Sequence, residues 1–288
     1  MITAKPSWIR GKVSWGKESE EVRGLLRDLN LNSVCVSAAC PNKGECWEAR
    51  HVTFMILGNR CTRDCRFCNI RESAPEAPDP DEPRNVSAAV RKLGVRYAVI
   101  TSVTRDDLND KGAGQFLMTV RAIKKETPGV LVELLIPDFN AEEIFLNEMV
   151  FSGADVIGHN IEMPETLYAE VRPRAHYARS IRALEILKRK AGNVPIKSSI
   201  ILGLGEAEED ILRTLGDLKD AGVDIVYIGQ YLSPSKDHWP VKKYYGPSEF
   251  HFLRKKSREM GFKAVQSGPM VRSSYRAYDS YRACLQPG

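Results

Sequence analysis

The run Thr53-Phe-Met-Ile-Leu-Gly-Asn-Arg-Cys-Thr-Arg-Asp-Cys-Arg-Phe-Cys68 joins a short apolar stretch, residues 53–58, to three closely spaced cysteines, Cys61, Cys65 and Cys68. A short apolar run closed by glycine reads as a buried strand. A four-iron cluster needs one ligand per iron, and thiolate sulfur is the usual one. Three thiolates in one tight loop hold three irons and leave the fourth open to a substrate or cofactor. The run therefore reads as a strand whose end carries chemistry at iron.

Outward from this run, apolar stretches alternate with amphipathic segments. The expected strands are Thr53–Gly58, Tyr97–Ser102, Val130–Pro137, Asp155–Ile161, Ile196–Leu202 and Ile225–Leu232. Helix signals fall between them. Ser87 reads as a cap with Gly94 as the stop, and Ser180 leads Ile181, Leu184 and Leu187. Ile211, Leu215 and Leu218 mark one face closed by Gly222, and Pro247-Ser248 opens a last helix that stops at Gly261. Six strand-helix repeats with near-continuous apolar strands imply a parallel sheet covered by helices. The expected fold class is α/β, a partial (β/α)6 TIM-type barrel. No Gly-x-Gly-x-x-Gly opens the first helix, which argues against a doubly wound sheet. In such barrels chemistry sits at the C-terminal ends of the strands, where the Cys61 loop falls.

The expected domains are 1–50, an N-terminal extension holding a second set of cysteines, 51–245, the barrel core, and 246–288, a C-terminal helix and tail. The second set is Cys35, Cys40 and Cys46, with four and then five residues between them. It lies in a stretch read as loop, after an amphipathic helix at Glu20–Leu29, and folds around its own metal. Trp8 and Trp15 read as packing residues of the N-terminal arm. Residues 74–83 contain four prolines and read as an extended connector. The tail carries Arg272-Ser-Ser-Tyr275. Cys284 reads as an incidental thiol of a mobile tail.

The chain has 288 residues, 42 Lys+Arg against 37 Asp+Glu and a net charge of +5. That balance is too weak to imply nucleic acid and would favour an acidic partner at low salt. No run of 18 apolar residues and no signal peptide is visible, so the expected location is cytoplasmic, with no membrane partner. Seven cysteines then read as reduced thiols used for metal or catalysis rather than as disulfides. A zinc site at Cys61, Cys65 and Cys68 is the alternative, but no fourth ligand lies nearby. Gly203-Leu-Gly-Glu206 lacks the Gly-Lys-Ser/Thr of a phosphate loop and reads as a tight strand end. His159 reads as a packed, hydrogen-bonded histidine rather than a ligand.

Cys-x3-Cys-x2-Cys after the first barrel strand, with Phe67 before the last cysteine, resembles the radical S-adenosylmethionine (SAM) superfamily. The upstream Cys-x4-Cys-x5-Cys narrows the resemblance to the lipoyl synthase family. Thr101-Ser-Val-Thr-Arg-Asp-Asp-Leu108, Leu135-Ile-Pro-Asp-Phe139, His159-Asn-Ile-Glu162, Val171-Arg-Pro173, Leu202-Gly-Leu-Gly-Glu206, Gly229-Gln-Tyr-Leu232 and Arg272-Ser-Ser-Tyr275 match that family in order. The likeness spans residues 35–275. Three places depart from the pattern: Asp110-Lys-Gly-Ala, Ser199, and the run from Ile161. None is a proposed iron ligand.

The resemblance implies a sulfur-inserting transferase that replaces C–H by C–S bonds at C6 and C8 of an octanoyl chain on a protein lysine. It implies two [4Fe-4S] clusters and SAM as cofactors. One cluster, on Cys61, Cys65 and Cys68, reduces SAM and generates the radical. The auxiliary cluster, on Cys35, Cys40 and Cys46, supplies the sulfur. Resemblance puts its fourth ligand at Ser274, with Ser273 as the fallback; an alkoxide is a poorer match than thiolate for iron in a sulfide cluster and detaches readily. Thr101, Ser102, Asn160, Glu162 and Arg172, at strand ends, are the expected SAM contacts. Expected partners are octanoylated lipoyl-carrier domains or an H-type carrier protein, an electron donor such as ferredoxin or flavodoxin, and cluster-assembly proteins. A biotin-synthase-like sulfur inserter, a thioether-forming peptide modifier and an iron–sulfur electron carrier are the competing readings. Product identity and SAM cleavage separate them.

Overall fold

The computed structural model describes residues 5–11 and 16–286. Two compact units make up the chain: Gly11–Arg63 with Asn69–Ile157, and Met1–Arg10 with Asp64–Cys68 and Gly158–Gly288.

In the first unit, α1 (Lys17–Asp28) leads into β1 (Asn32–Ser33), α2 (Val34–Ser37) and α3 (Lys43–Glu48). Then come β2 (Thr53–Ile56), the two-residue strands β3 (Arg60–Cys61) and β4 (Arg71–Glu72), and α4 (Glu82–Leu93). β5 (Tyr97–Ser102), α5 (Ala113–Glu126), β6 (Leu131–Leu135), α6 (Glu143–Val150) and β7 (Val156–Gly158) complete it. Strands run in the order β1-β2-β5-β6-β7. β1 is antiparallel to β2, whereas β2 pairs with β5 and β5 with β6 in parallel. The register places Ile56 opposite Ser102 and Thr101 opposite Leu135, so these strand ends reach one rim. All four residues of β2 are buried, as a strand covered on both faces requires.

In the second unit, α7 (Tyr168–Val171) and α8 (Tyr177–Lys190) precede β8 (Ile196–Leu202), α9 (Glu208–Asp220) and β9 (Ile225–Gln230). α10 (Pro247–Glu259), β10 (Ala264–Gly268) and α11 (Ala277–Leu285) follow. β8, β9 and β10 are neighbours and parallel. Ile211, Leu215 and Leu218 point inward from α9. Each such buried side chain contributes about 1.5–3 kcal/mol. Gly222 closes that helix with φ of +83°, a conformation that only glycine enters without strain.

All six expected strands are present, β5 and β8 with the expected bounds and the other four shorter, and β10 adds a parallel strand that sequence reading missed. Several local expectations are corrected. Ser87 is not a cap: α4 starts at Glu82, with Pro83 in its first turn, where a missing N–H costs nothing. The proline connector therefore ends two residues early, at Asp81. Ser180 lies inside α8 and is fully buried. The Cys35–Cys46 stretch is not loop: Cys35 lies in α2 and Cys46 in α3. Cys284 is not in a mobile tail. It is buried on α11 against Ile225, Tyr227, Ala264 and Val271. Trp8 is 45% exposed, and its indole N–H donates to the Tyr245 carbonyl at 3.3 Å. Trp15 lies outside the described residues.

Candidate active site

In the first unit, β2 leads into Leu57 and Gly58, both left-handed, with φ of +67° and +83°. Glu82 holds this turn. Its carboxylate accepts the Leu57 N–H at 2.9 and 3.1 Å and the Gln115 side-chain amide at 2.9 Å. Burial pushes the Glu82 carboxyl up, and those donors oppose the push. Three residues on, Cys61 pairs with Glu72, and its carbonyl accepts from Ser73 N–H at 3.2 Å. The Arg63 N–H donates to Cys61 Sγ at 3.4 Å.

Arg63 itself points inward. Its guanidinium makes a two-point contact with Asp106 (2.8 and 3.0 Å) and another with Asp138 (3.0 and 2.7 Å). Asp138 is fully buried, and the Arg63 side chain is nearly so. Both carboxylates push the guanidinium pKa up, against a burial that alone would lower it. Thr62 is held as well: its N–H and Oγ1 donate to the Thr104 carbonyl at 3.1 and 3.0 Å, and its Oγ1 accepts from Asp106 N–H at 3.1 Å. Sequence reading missed this anchor.

The upstream cysteines share the first unit. Cys40 N–H donates to Cys35 carbonyl at 3.2 Å, Lys43 N–H to Cys40 carbonyl at 3.2 Å, and Cys46 N–H to Asn42 carbonyl at 2.9 Å. These bonds wrap the three cysteines into one short turn-and-helix run. Burial pushes the Cys35 thiol up and the nearby Cys40 adds to it, while a backbone hydrogen bond at Thr53 opposes the push. Such a thiol gives up its proton when iron binds. Thr101 and Ser102 end β5. Thr101 Oγ1 donates to the Leu135 carbonyl at 2.8 Å, whereas Ser102 Oγ is buried with no protein partner among the described residues.

In the second unit, Cys65 and Cys68 lie on one turn, Cys68 N–H donating to the Cys65 carbonyl at 2.9 Å. Arg66, between them, donates its N–H to Val171 and accepts from Trp239 N–H at 2.8 Å. Arg172, buried, hydrogen-bonds the Cys65 side chain. It also donates to Tyr168 Oη at 2.9 Å and lies 5.0 Å above the Tyr168 ring. Burial lowers the Arg172 pKa, but Tyr168, Cys65 and Glu162 more than reverse that and push it up. Burial pushes the Glu162 carboxyl up, with Arg172 and Asn160 opposing it. Asn160 Nδ2 donates to Glu162 at 3.1 Å, and Asn160 Oδ1 is buried without a partner among the described residues. His159 is buried, as expected, and its backbone N–H donates to the Lys197 carbonyl at 3.0 Å. The amides of Gly203, Leu204 and Gly205 all point at the carboxylate of Glu206, at 2.6 to 3.0 Å. The chain's own acid fills that anion cradle. Ser273 and Ser274 lie in a turn between β10 and α11. A Cβ at Gly229 would meet the Val271 carbonyl at 2.1 Å, so this glycine lets the serine-bearing segment lie directly on β9.

The residues fit iron–sulfur clusters and SAM. Donors address two sulfurs of the Cys61–Cys68 run, which is how proteins orient cluster ligands and set their potential. Ser102 Oγ in the first unit and Asn160 Oδ1 in the second are each buried with no protein partner among the described residues, and each can take a hydrogen bond from a polar ligand. Among the described residues no three His, Cys, Asp or Glu converge on a single-ion position. A four-iron cluster does not call for that, since each thiolate holds a different iron.

Residues 55–218 match the model of the radical SAM superfamily. The chain is 47% identical over 275 residues to the lipoyl synthase of Rubrobacter xylanophilus, spanning 96% of this chain and 86% of that one. It is 47% identical over 273 residues to the mitochondrial lipoyl synthase of Nematostella vectensis, spanning 95% and 94%. Among solved structures, the backbone is similar to methylornithine synthase, with a TM-score of 0.56 at 15% identity over 91% of this chain and 85% of that one. It is similar also to Streptococcus suis SuiB bound to S-adenosylmethionine, with a TM-score of 0.57 at 13% identity over 88% and 60%. At those identities the structural likeness is one of fold alone. It bears out the expected α/β architecture with a mostly parallel sheet.

Proposed function

Since the chain belongs to the lipoyl synthase family of the radical SAM superfamily, we propose that its two cysteine triplets hold two clusters with separate tasks. The enzyme inserts two sulfur atoms at C6 and C8 of a protein-bound octanoyl-lysine. When bound, the clusters and SAM supply the electron, the hydrogen-abstracting radical and the sulfur, chemistry that no side chain provides. Cys61, Cys65 and Cys68 ligate the radical-site cluster. Cys35, Cys40, Cys46 and Ser274 ligate the auxiliary cluster carried by the N-terminal extension and the tail.

The observation that carries the reading is the set of donors to the first run: Arg63 N–H on Cys61 and Arg172 on Cys65. Fixed donors aimed at sulfur suit thiolates that stay bound through many turnovers. Arg172 sets a buried guanidinium beside the partly buried carboxyl of Glu162 and amide of Asn160, groups that match an amino acid's carboxylate and ammonium. We assign the amino-acid end of SAM to them. Thr101 spends its hydroxyl on Leu135, so on this rim Ser102 is the better contact. The partner is a lipoyl-type carrier domain or H-type protein, served by a ferredoxin- or flavodoxin-like donor and by cluster-assembly proteins. Among the described residues no helix is long and apolar enough to cross a membrane. Anaerobic incubation of reconstituted protein with SAM, dithionite and an octanoyl-lysyl peptide, followed by mass spectrometry, tests the reading. A peptide recovered without added sulfur refutes it.

A further inference from the structure

We infer that Arg63 is a positioning residue for the radical-site cluster, holding Cys61 in its ligating geometry before any iron is present. The inference rests on the assignment of Cys61, Cys65 and Cys68 to that cluster. Its grounds are the anchor itself. Arg63 stands between the first two cysteines of the run, yet its side chain is buried rather than exposed as a loop arginine normally is. It spans two carboxylates from different strand-end loops, Asp106 after β5 and Asp138 after β6, each by a two-point contact. Asp138 Oδ1 also accepts Asn140 N–H at 3.1 Å, which fixes the carboxylate in turn.

A planar guanidinium gripped on two sides has no freedom of rotation. Its backbone N–H, directed at Cys61 Sγ, inherits that rigidity. Thr62 repeats the pattern one residue earlier, with donors and acceptor all on the Thr104–Asp106 segment. Stability alone does not call for this arrangement, because a buried ion pair is often no better than a neutral replacement of the same shape. What the charged set adds is direction: it fixes where the first cysteine points.

The test separates positioning from folding. Arg63→Met alone strands Asp138 as a buried unpaired charge and can unfold the protein, so the triple variant Arg63→Met/Asp106→Asn/Asp138→Asn removes all three charges together. Arg63→Lys keeps the charge but offers one point in place of a fork. Wild type and both variants are reconstituted, and iron loss from each cluster to a chelator is followed by Mössbauer and EPR spectroscopy. Amide exchange of residues 60–64 is measured on the iron-free proteins. Loss from the radical-site cluster should be roughly ten- to a hundredfold faster in both variants, the usual effect of a removed outer-shell partner. The auxiliary cluster should be unchanged, and exchange at residues 60–64 faster. Unchanged loss in Arg63→Lys, or equal acceleration at both clusters, overturns the inference. Wild-type protein that binds no iron at this run refutes the underlying assignment instead, and the exchange measurement on iron-free protein still reports on the anchor.

Discussion

Asn69, the residue after Cys68, donates its side-chain amide to the carbonyl of Ser37 at 2.7 Å, and Ser37 ends the helix that carries Cys35. This hydrogen bond ties the peptide that follows Cys68 to the helix that carries Cys35. One such bond contributes about 0.5–1.5 kcal/mol, too little to make the two runs fold or load as one. The two sites should therefore be separable by mutation.

Replacing Cys61, Cys65 and Cys68 by alanine should leave about four of about eight irons, the content of one cluster out of two. SAM cleavage should vanish. Iron analysis and chromatography of 5′-deoxyadenosine read this out, and retained cleavage contradicts the assignment of the radical site.

Replacing Cys35, Cys40 and Cys46 by alanine should split the reaction. 5′-Deoxyadenosine should still form, while no sulfur reaches the octanoyl chain. Lipoyl product from this variant means that the sulfur is drawn from another source.

Ser274→Cys should hold its iron more tightly, since thiolate suits iron in a sulfide cluster better than alkoxide. Iron content should stay near normal and sulfur transfer should slow strongly. Full turnover of this variant with an impaired Ser273→Cys moves the ligand by one residue. Full turnover of both removes serine from the mechanism.

Acid should weaken the second unit through Asp224. Burial would raise this carboxyl, but the Ile196 N–H and the ammonium groups of Lys188 and Lys263, at 2.8 to 2.9 Å, more than reverse that. Its folded pKa lies below the unfolded value of about 3.9. The contribution is thus complete above that value and lost as pH falls through the lower folded one. Asp224→Asn should cost about 1–3 kcal/mol near neutral pH, a modest figure because both lysines are partly exposed. The gap from wild type should begin to narrow below about pH 4, the unfolded pKa, and close only as pH falls past the lower folded value. Urea unfolding across pH tests it; a gap constant with pH contradicts the ion-pair origin.

Five of the six expected strands are legible because each is a largely apolar run, the pattern of a strand covered on both faces, and β8 is legible from Ile196 and Ile200-Ile-Leu202 despite the polar Lys197-Ser-Ser199 between them. β10 is not, because Ala264-Val-Gln-Ser-Gly268 mixes polar residues into a strand that pairs on the far side of β9. The cysteine triplets are legible from spacing. The start of α4 is hidden by its prolines, which read as helix breakers although the first turn accepts them. Arg63 is the largest omission. Between two cysteines it reads as a solvated loop charge, and its partners lie 43 and 75 residues away. No local periodicity encodes a contact of that range.

The helices that carry Cys35 and Cys46 have four and six residues. Helices this short are not self-sustaining in water. If Cys35, Cys40 and Cys46 hold the auxiliary cluster as proposed, an emptied site would rest on a few backbone bonds and on the packing of Cys35 and Trp47. Refilling it would then be a local refolding event, whereas the run beside Arg63 would keep its form like a die.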